Sequence, residues 1–155
     1  MDYDSRPDTY EHIGKVRGYV LECATDLIHR ADVHDASKLE DPEKAMFDKY
    51  TPKLSHPDMV YGSDEYKATT KAMKDEGLLH HFEVNDHHPE HFENGFIDMN
   101  LIQILEMLCD WKAAGERHAD GGDIRRSIDI QQGKLGFSDD FRAVLLNTAE
   151  YLGWL

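Results

Sequence analysis

Five of the chain's ten histidines fall in one stretch, Leu78 to Phe92, which reads LLHHFEVNDHHPEHF. They are His80, His81, His87, His88 and His91. Neutral imidazole is the commonest protein ligand for zinc, copper and iron-like ions, so the cluster suggests a metal face. Read as one helix at about 100° per residue, the stretch puts His80, His87 and His88 on one side, with His81 and His88 seven apart. The competing reading is a surface cluster, or core histidines that are hydrogen-bonded and inert.

Two further signals carry the same chemistry. His34 and Asp35 are adjacent, and neighbours on a helix point about 100° apart, so both reach one ion only if it lies between them. Another ligand must come from a different element, and His12, early in the first helix, is the candidate. Asp110, in EMLCDWKAA, sits at the edge of an apolar stripe, where a carboxylate needs a metal or an ion-pair partner. Lys38, Lys112 and Arg117 are its alternative partners. His29, His56, His91 and His118 are set aside as ligands, with His91 the first to reconsider.

The elements that must position these groups are helical. Asp8 or Thr9 caps a helix to about Ile28, with Ile13, Val16, Val20, Cys23 or Ala24, and Leu27 recurring at steps of three and four. A short helical piece spans about Ala31 to Lys38. Asp41-Pro42-Glu43 opens a third helix with an acidic first turn, and Thr51-Pro52 is expected to end it near Tyr50. Residues 51–62 read as loop. Ser63 starts the long histidine-bearing helix, whose inward stripe is Tyr66, Thr70, Met73, Gly77, His80 or His81, Val84 and His88, and which Pro89 ends or kinks. Asp98 caps a helix to about His118 that buries Leu101, Ile104, Leu105, Leu108, Cys109 and Trp111. HADGGD is a break, Asp123 caps a helix to about Gln132, and Ser138 caps the last to about Leu152. No segment alternates like a strand. The expectation is an all-α, single-domain bundle of about six to seven helices over residues 1–155, behind a polar lead-in at 1–8.

The formal charge of −14 weighs against a nucleic-acid polymer or an anionic membrane as partner, since both would be repelled. Cys23 and Cys109 read as reduced core thiols, and the first residues lack a secretory pattern, so a cytoplasmic location is expected.

The order His12, His34-Asp35, His80/His81, His87/His88, Asp110 on a helical chain resembles the HD-domain metal-dependent phosphohydrolase superfamily. The resemblance implies a helical core in which a histidine, a His-Asp pair and a later aspartate surround a divalent metal. Two extra histidines mark members with a dinuclear site. HDASK (His34 to Lys38) is similar to the HD-x-x-K element of the HD-GYP branch, and HHPEHFENG to its HH-E and glycine turn. The GYP triplet is absent and the His80-to-His87 interval is short, so that branch's cyclic dinucleotide substrate does not carry over. The strings HDASKL, YGSDEY, HHPEHFENG and EMLCDWKAA also resemble a family of small phage and bacterial proteins without a settled activity.

The resemblance implies one or two divalent ions (Fe, Mn, Co, Ni, Zn or Mg) held by His12, His34, Asp35, His80 or His81, His87 or His88, and Asp110. Asp35 is then the natural bridging carboxylate, and a metal-activated water attacks a small phosphorylated substrate such as a nucleotide. Lys38, Lys112 and Arg117 stand near these ligands in sequence and are candidates to hold the phosphate. Arg125, Arg126 and Lys134 form a second basic region where a nucleotide phosphate could dock. A phage origin would place the protein in the host cytoplasm. Two other classes fit the same residues. One is a mixed-valent di-iron oxygenase, a chemistry found in some HD-fold members. The other is a non-enzymatic, acidic protein-binding module of a phage, with a structural metal.

Overall fold

The structure is a computed structural model that describes residues 3–60, 62–117 and 123–155. It is all-α, and no strand occurs among the described residues. Residues up to His34 form one compact unit and Asp35–Leu155 a second.

The first unit is essentially one helix, α1 (Arg6–Val33). It begins earlier than Asp8 or Thr9 would allow, with Ser5 as N-cap and Pro7 in the first turn, where a missing N–H costs nothing. It also runs past Ile28, because nothing in HRADV interrupts it. The helix ends at His34, whose backbone is extended (φ −49°, ψ 127°). The expected second helix over Ala31 to Lys38 is therefore divided between α1 and a separate turn. Cys23 is exposed on α1 rather than a core thiol.

The second unit opens with Asp35 in the left-handed region (φ 55°, ψ 17°), the one non-glycine residue with positive φ among the described residues. A short 3-10 turn, Ala36–Leu39, follows. Helix α2 (Glu43–Leu54) begins after Pro42, which serves as N-cap without a side-chain hydrogen bond. It continues through Pro52, correcting the expected stop near Tyr50. Proline in a final turn forfeits one backbone bond, and the helix closes with Ser55 N–H donating to the Thr51 carbonyl at 2.9 Å.

Helix α3 (Asp64–Met73) is capped as expected, the Ser63 hydroxyl accepting from Tyr66 N–H at 3.1 Å. A π turn, Lys74–Leu78, then leads into α4 (Leu79–Val84). Gly77 in that turn has φ 158° and ψ −12°, and Met46 of α2 packs on its open side. Glu76 fixes the turn to α2 by accepting from Lys49 Nζ (2.6 and 2.7 Å) and from the Tyr50 hydroxyl (2.6 Å). Two 3-10 turns, Pro89–His91 and Gly95–Asp98, lead to α5 (Leu101–Gly115). Asn100 caps α5 through a reciprocal box with Gln103, while the expected cap Asp98 accepts from Asn94 instead. Asp123 caps α6 (Ile124–Leu135) and Ser138 caps α7 (Asp139–Tyr151), both as expected. Gly136, left-handed at φ 71°, stops α6. Helix α5 ends at Gly115 with Glu116 as C-cap, short of the expected His118, and the HADGG segment lies outside the described residues.

The larger core gathers Ile104, Met107, Leu108 and Trp111 of α5, Ile124 and Ile128 of α6, and Phe137, Leu145 and Ala149 toward and within α7. Those α5 positions follow steps of three, one and three, the period of a buried helical face. Leu101 and Cys109, expected on that face, are exposed. A smaller cluster joins Met46 and Tyr50 of α2 to Met73 of α3. No helix among the described residues is long and apolar enough to cross a membrane.

Candidate metal centre

The histidine stretch does not form one helix. Helix α4 stops at Val84, five residues before Pro89, because Asn85 turns to an extended backbone (φ −119°, ψ 100°). Val84 is exposed and leaves the expected inward stripe. His81 therefore projects from a helix, while His87 and His88 come from the loop that follows.

That loop brings the imidazoles together more closely than a single helix would. Asp35, His81, His87 and His88 each place one donor atom within 4.8 Å of the other three. His81 Nε2 is 3.4 Å from Asp35 Oδ1 and 2.8 Å from His88 Nε2. His87 Nε2 is 3.6 Å from the same Asp35 oxygen. Donors 2.0–2.2 Å from one ion lie about 3.3–3.6 Å apart at tetrahedral angles and about 2.8–3.1 Å apart at octahedral ones. The spacing fits donors around a shared cation. His81 and His87 are buried, at 1% and 2% exposure, so these donors face one another out of bulk water.

The outer imidazole nitrogens rest on carboxylates. His81 Nδ1 lies 2.8 Å from Glu43 Oε2, and His87 Nδ1 lies 3.3 Å from Glu106 Oε1. A ligand histidine commonly donates its second ring N–H to a carboxylate, which fixes the ring and raises its basicity. The second oxygen of Asp35 pairs with Lys38, whose ammonium also stands 4.9 Å from the centre of the Phe47 ring. Asp35 is thus held at one oxygen by a cation and turns the other toward the imidazoles.

The electrostatics hold His81 and His88 toward their neutral forms. Burial pushes the His88 imidazolium down to about 3, with His87 and His81 adding to the shift and Asp110 and Asp35 opposing it. Burial, with Lys38 nearby, lowers His81 as well, against the pull of Asp35 and Glu43. Neutral rings keep a lone pair for a cation. Glu43 is fully buried, which alone would raise its carboxyl. Hydrogen bonds from His80, Ser37 and His81 outweigh burial and hold it below the ordinary value.

Asp110 on α5 lies close enough for its charge to act on His88. His80, 42% exposed, points Nδ1 at Glu43 Oε1 at 2.8 Å rather than joining the four donors. His12 is exposed on α1, and His34 is that helix's C-cap; both belong to the first unit. Lys112 pairs with Glu116 at 2.8 Å, and Arg117 is exposed just beyond α5. In the second basic region Lys134 pairs with Glu90 at 2.8 Å. His91 faces the Phe82 carbonyl at 3.1 Å and His56 stands beside Asp58, while His118 lies outside the described residues.

Sequence reading missed Glu43 and Glu106. The signal was present in the helical period. Glu43 shares a face with Met46 and Tyr50 at steps of three and four, and Glu106 shares one with Gln103 and Asp110. A carboxylate on a buried face asks for a partner.

The model of a protein family of unknown function, DUF5662, matches residues 1–151. The chain belongs to that family. No curated protein and no solved structure matches it. The four donors and both supporting carboxylates lie inside the segment that the DUF5662 model spans.

Proposed function

We propose that Asp35, His81, His87 and His88 bind a divalent metal ion and that the centre hydrolyses a small phosphoester, a nucleotide among the candidates. The observation that carries this is the convergence of three imidazoles and one carboxylate oxygen within 4.8 Å. A divalent ion bound there would lower the pKa of a water toward neutrality and neutralise charge gathering on phosphoryl oxygens. Lys38, tethered at Asp35, is placed to meet an anionic substrate at the edge of the donor set. Asp110 adds a carboxylate near His88 that can accept a proton or serve a further cation. The order of these residues supports reading the chain as HD-like, with Fe, Mn, Co, Ni, Zn and Mg the ions to test. The free cysteines Cys23 and Cys109 suit a reducing cytoplasm.

The test is hydrolysis of a panel of phosphomonoesters and phosphodiesters, nucleotides included, by protein loaded with each ion. Asp35→Asn is expected to lower kcat/KM on the preferred substrate by at least about 100-fold, equivalent to ~2.7 kcal/mol of barrier. Equal turnover by Asp35→Asn and the natural sequence would sink the hydrolytic reading.

A second reading rests on the donor count. Four protein donors complete a tetrahedron, the closed arrangement of structural sites, whereas an octahedral ion would keep two positions for water and substrate. Cobalt(II) spectra separate the two. Weak bands that shift on adding inorganic phosphate support the open centre, and intense bands indifferent to phosphate support a purely structural one.

A further inference from the structure

We propose that Glu43 is the positioning residue of the centre, fixing the tautomer of His81 so that its Nε2 presents a lone pair to the donor cluster. The inference rests on the metal-binding reading but makes a claim of its own about the protein without metal.

Glu43 is fully buried, and its partners are His80, His81 and Ser37. Oε1 faces His80 Nδ1 at 2.8 Å, and Oε2 faces His81 Nδ1 at 2.8 Å. The Ser37 hydroxyl donates to Oε2 at 3.0 Å, and the Asn85 amide donates to Ser37 Oγ at 2.8 Å, which leaves the hydroxyl proton for Glu43. Asn85 also donates to the His81 carbonyl at 2.8 Å; with both amide protons so placed, its 3.0 Å approach to His81 Nδ1 brings that nitrogen no proton. An ionised carboxylate offers only acceptors, so both facing imidazole nitrogens must carry the proton. A neutral His81 protonated at Nδ1 has its lone pair at Nε2, the atom 3.4 Å from Asp35 Oδ1. Had the proton resided at Nε2, it would occupy the direction in which a cation must be bound. The carboxylate therefore prepares the ligand before any ion arrives, and α2 carries it for that purpose.

Glutamine at position 43 tests the claim with little change of volume. Its amide has one acceptor and one donor end, so it can accept from one of the two histidines and must donate to the other. The recipient histidine then needs a bare Nδ1 and moves its proton to Nε2. Nitrogen-15 NMR of the imidazoles in metal-free protein reads this directly, and cobalt(II) titration reads its consequence. The natural sequence is expected to hold His81 as the Nδ1–H tautomer. Glu43→Gln is expected to shift part of the population to Nε2–H and weaken cobalt binding by about 10–100-fold. His80→Ala is expected to leave the His81 tautomer as it was, separating the carboxylate's effect from loss of local packing.

Glu43→Gln with an unchanged His81 tautomer and cobalt affinity overturns the proposal. So does an Nε2–H His81 in the natural sequence, a result that needs no folded variant. If the natural sequence binds no cobalt, the metal reading fails, and the tautomer comparison still decides the role of Glu43.

Discussion

The two interiors of the second unit are built on opposite principles. Around α5, α6 and α7 the interior is apolar, with Met107, Leu108, Ile124, Ile128, Leu145 and Ala149 all at 2% exposure or less. Each large aliphatic side chain there contributes roughly 1.5–3 kcal/mol by leaving water. Around α2 and α4 the equally buried groups are Glu43, His81 and His87. Burying those costs free energy that hydrogen bonds only partly return. The apolar cluster of that region is small: Met46, Tyr50 and Met73 are buried, with Phe47, Leu54, Ala72 and Leu78 packed against them. One interior holds the fold; the other gathers the groups that could hold a metal ion.

The contrast breaks first at the apolar core. Leu108→Ala or Ile128→Ala is expected to lower unfolding free energy by about 2–5 kcal/mol in denaturant titrations. Cobalt affinity of the protein that remains folded should be unchanged. If either core variant lost cobalt binding while folded, the two interiors would not be separable.

pH sharpens the contrast. His88 and His81 have folded pKa values below the ordinary 6.5, so between those values the unfolded chain binds more protons and stability rises with pH. In chelator-treated protein, stability is therefore expected to fall as pH drops below about 6.5, by up to about 1.4 kcal/mol per unit for each histidine. Glu43, also lowered, adds to the loss in the carboxylate range. His88→Ala should flatten the slope above pH 4, measured by denaturant titration at a series of pH values. An unaltered slope would mean that His88 is not held neutral by its surroundings.

A smaller effect separates backbone from ligand at Asp35. Its left-handed backbone is strained for any residue but glycine, by about 1–2 kcal/mol. Asp35→Gly is expected to be about 1 kcal/mol more stable than Asp35→Ala, with neither binding an ion. The smallest effect belongs to His56, exposed beside Asp58, where alanine should change stability by less than about 0.5 kcal/mol and leave metal binding intact.

What could be read without coordinates follows the same division. Ser63, Asp123 and Ser138 announce their helices, because a cap needs only a side-chain acceptor and the residues immediately after it. The apolar period of α5 was legible at Ile104, Leu108 and Trp111, although Leu101 and Cys109 slipped off the buried face. Asp35, His81, His87 and His88 were recognisable as candidates by type and clustering. Their actual arrangement was not, since it depends on Asn85 breaking the helix and on a π turn that sets the register of His80 and His81. Glu43 looked like an acidic first-turn residue suited to the helix dipole. The same carboxylate reaches inward, to partners nearly forty residues away, and local pattern carries no record of that.

The most direct measurement is the metal content of the protein purified without chelator or nickel resin, compared with His88→Ala by elemental analysis. At least about one divalent ion per chain is expected in the natural sequence, with a near-complete loss in the folded variant. A folded natural protein that holds no ion and takes up none on dialysis against the candidate metals would contradict that expectation.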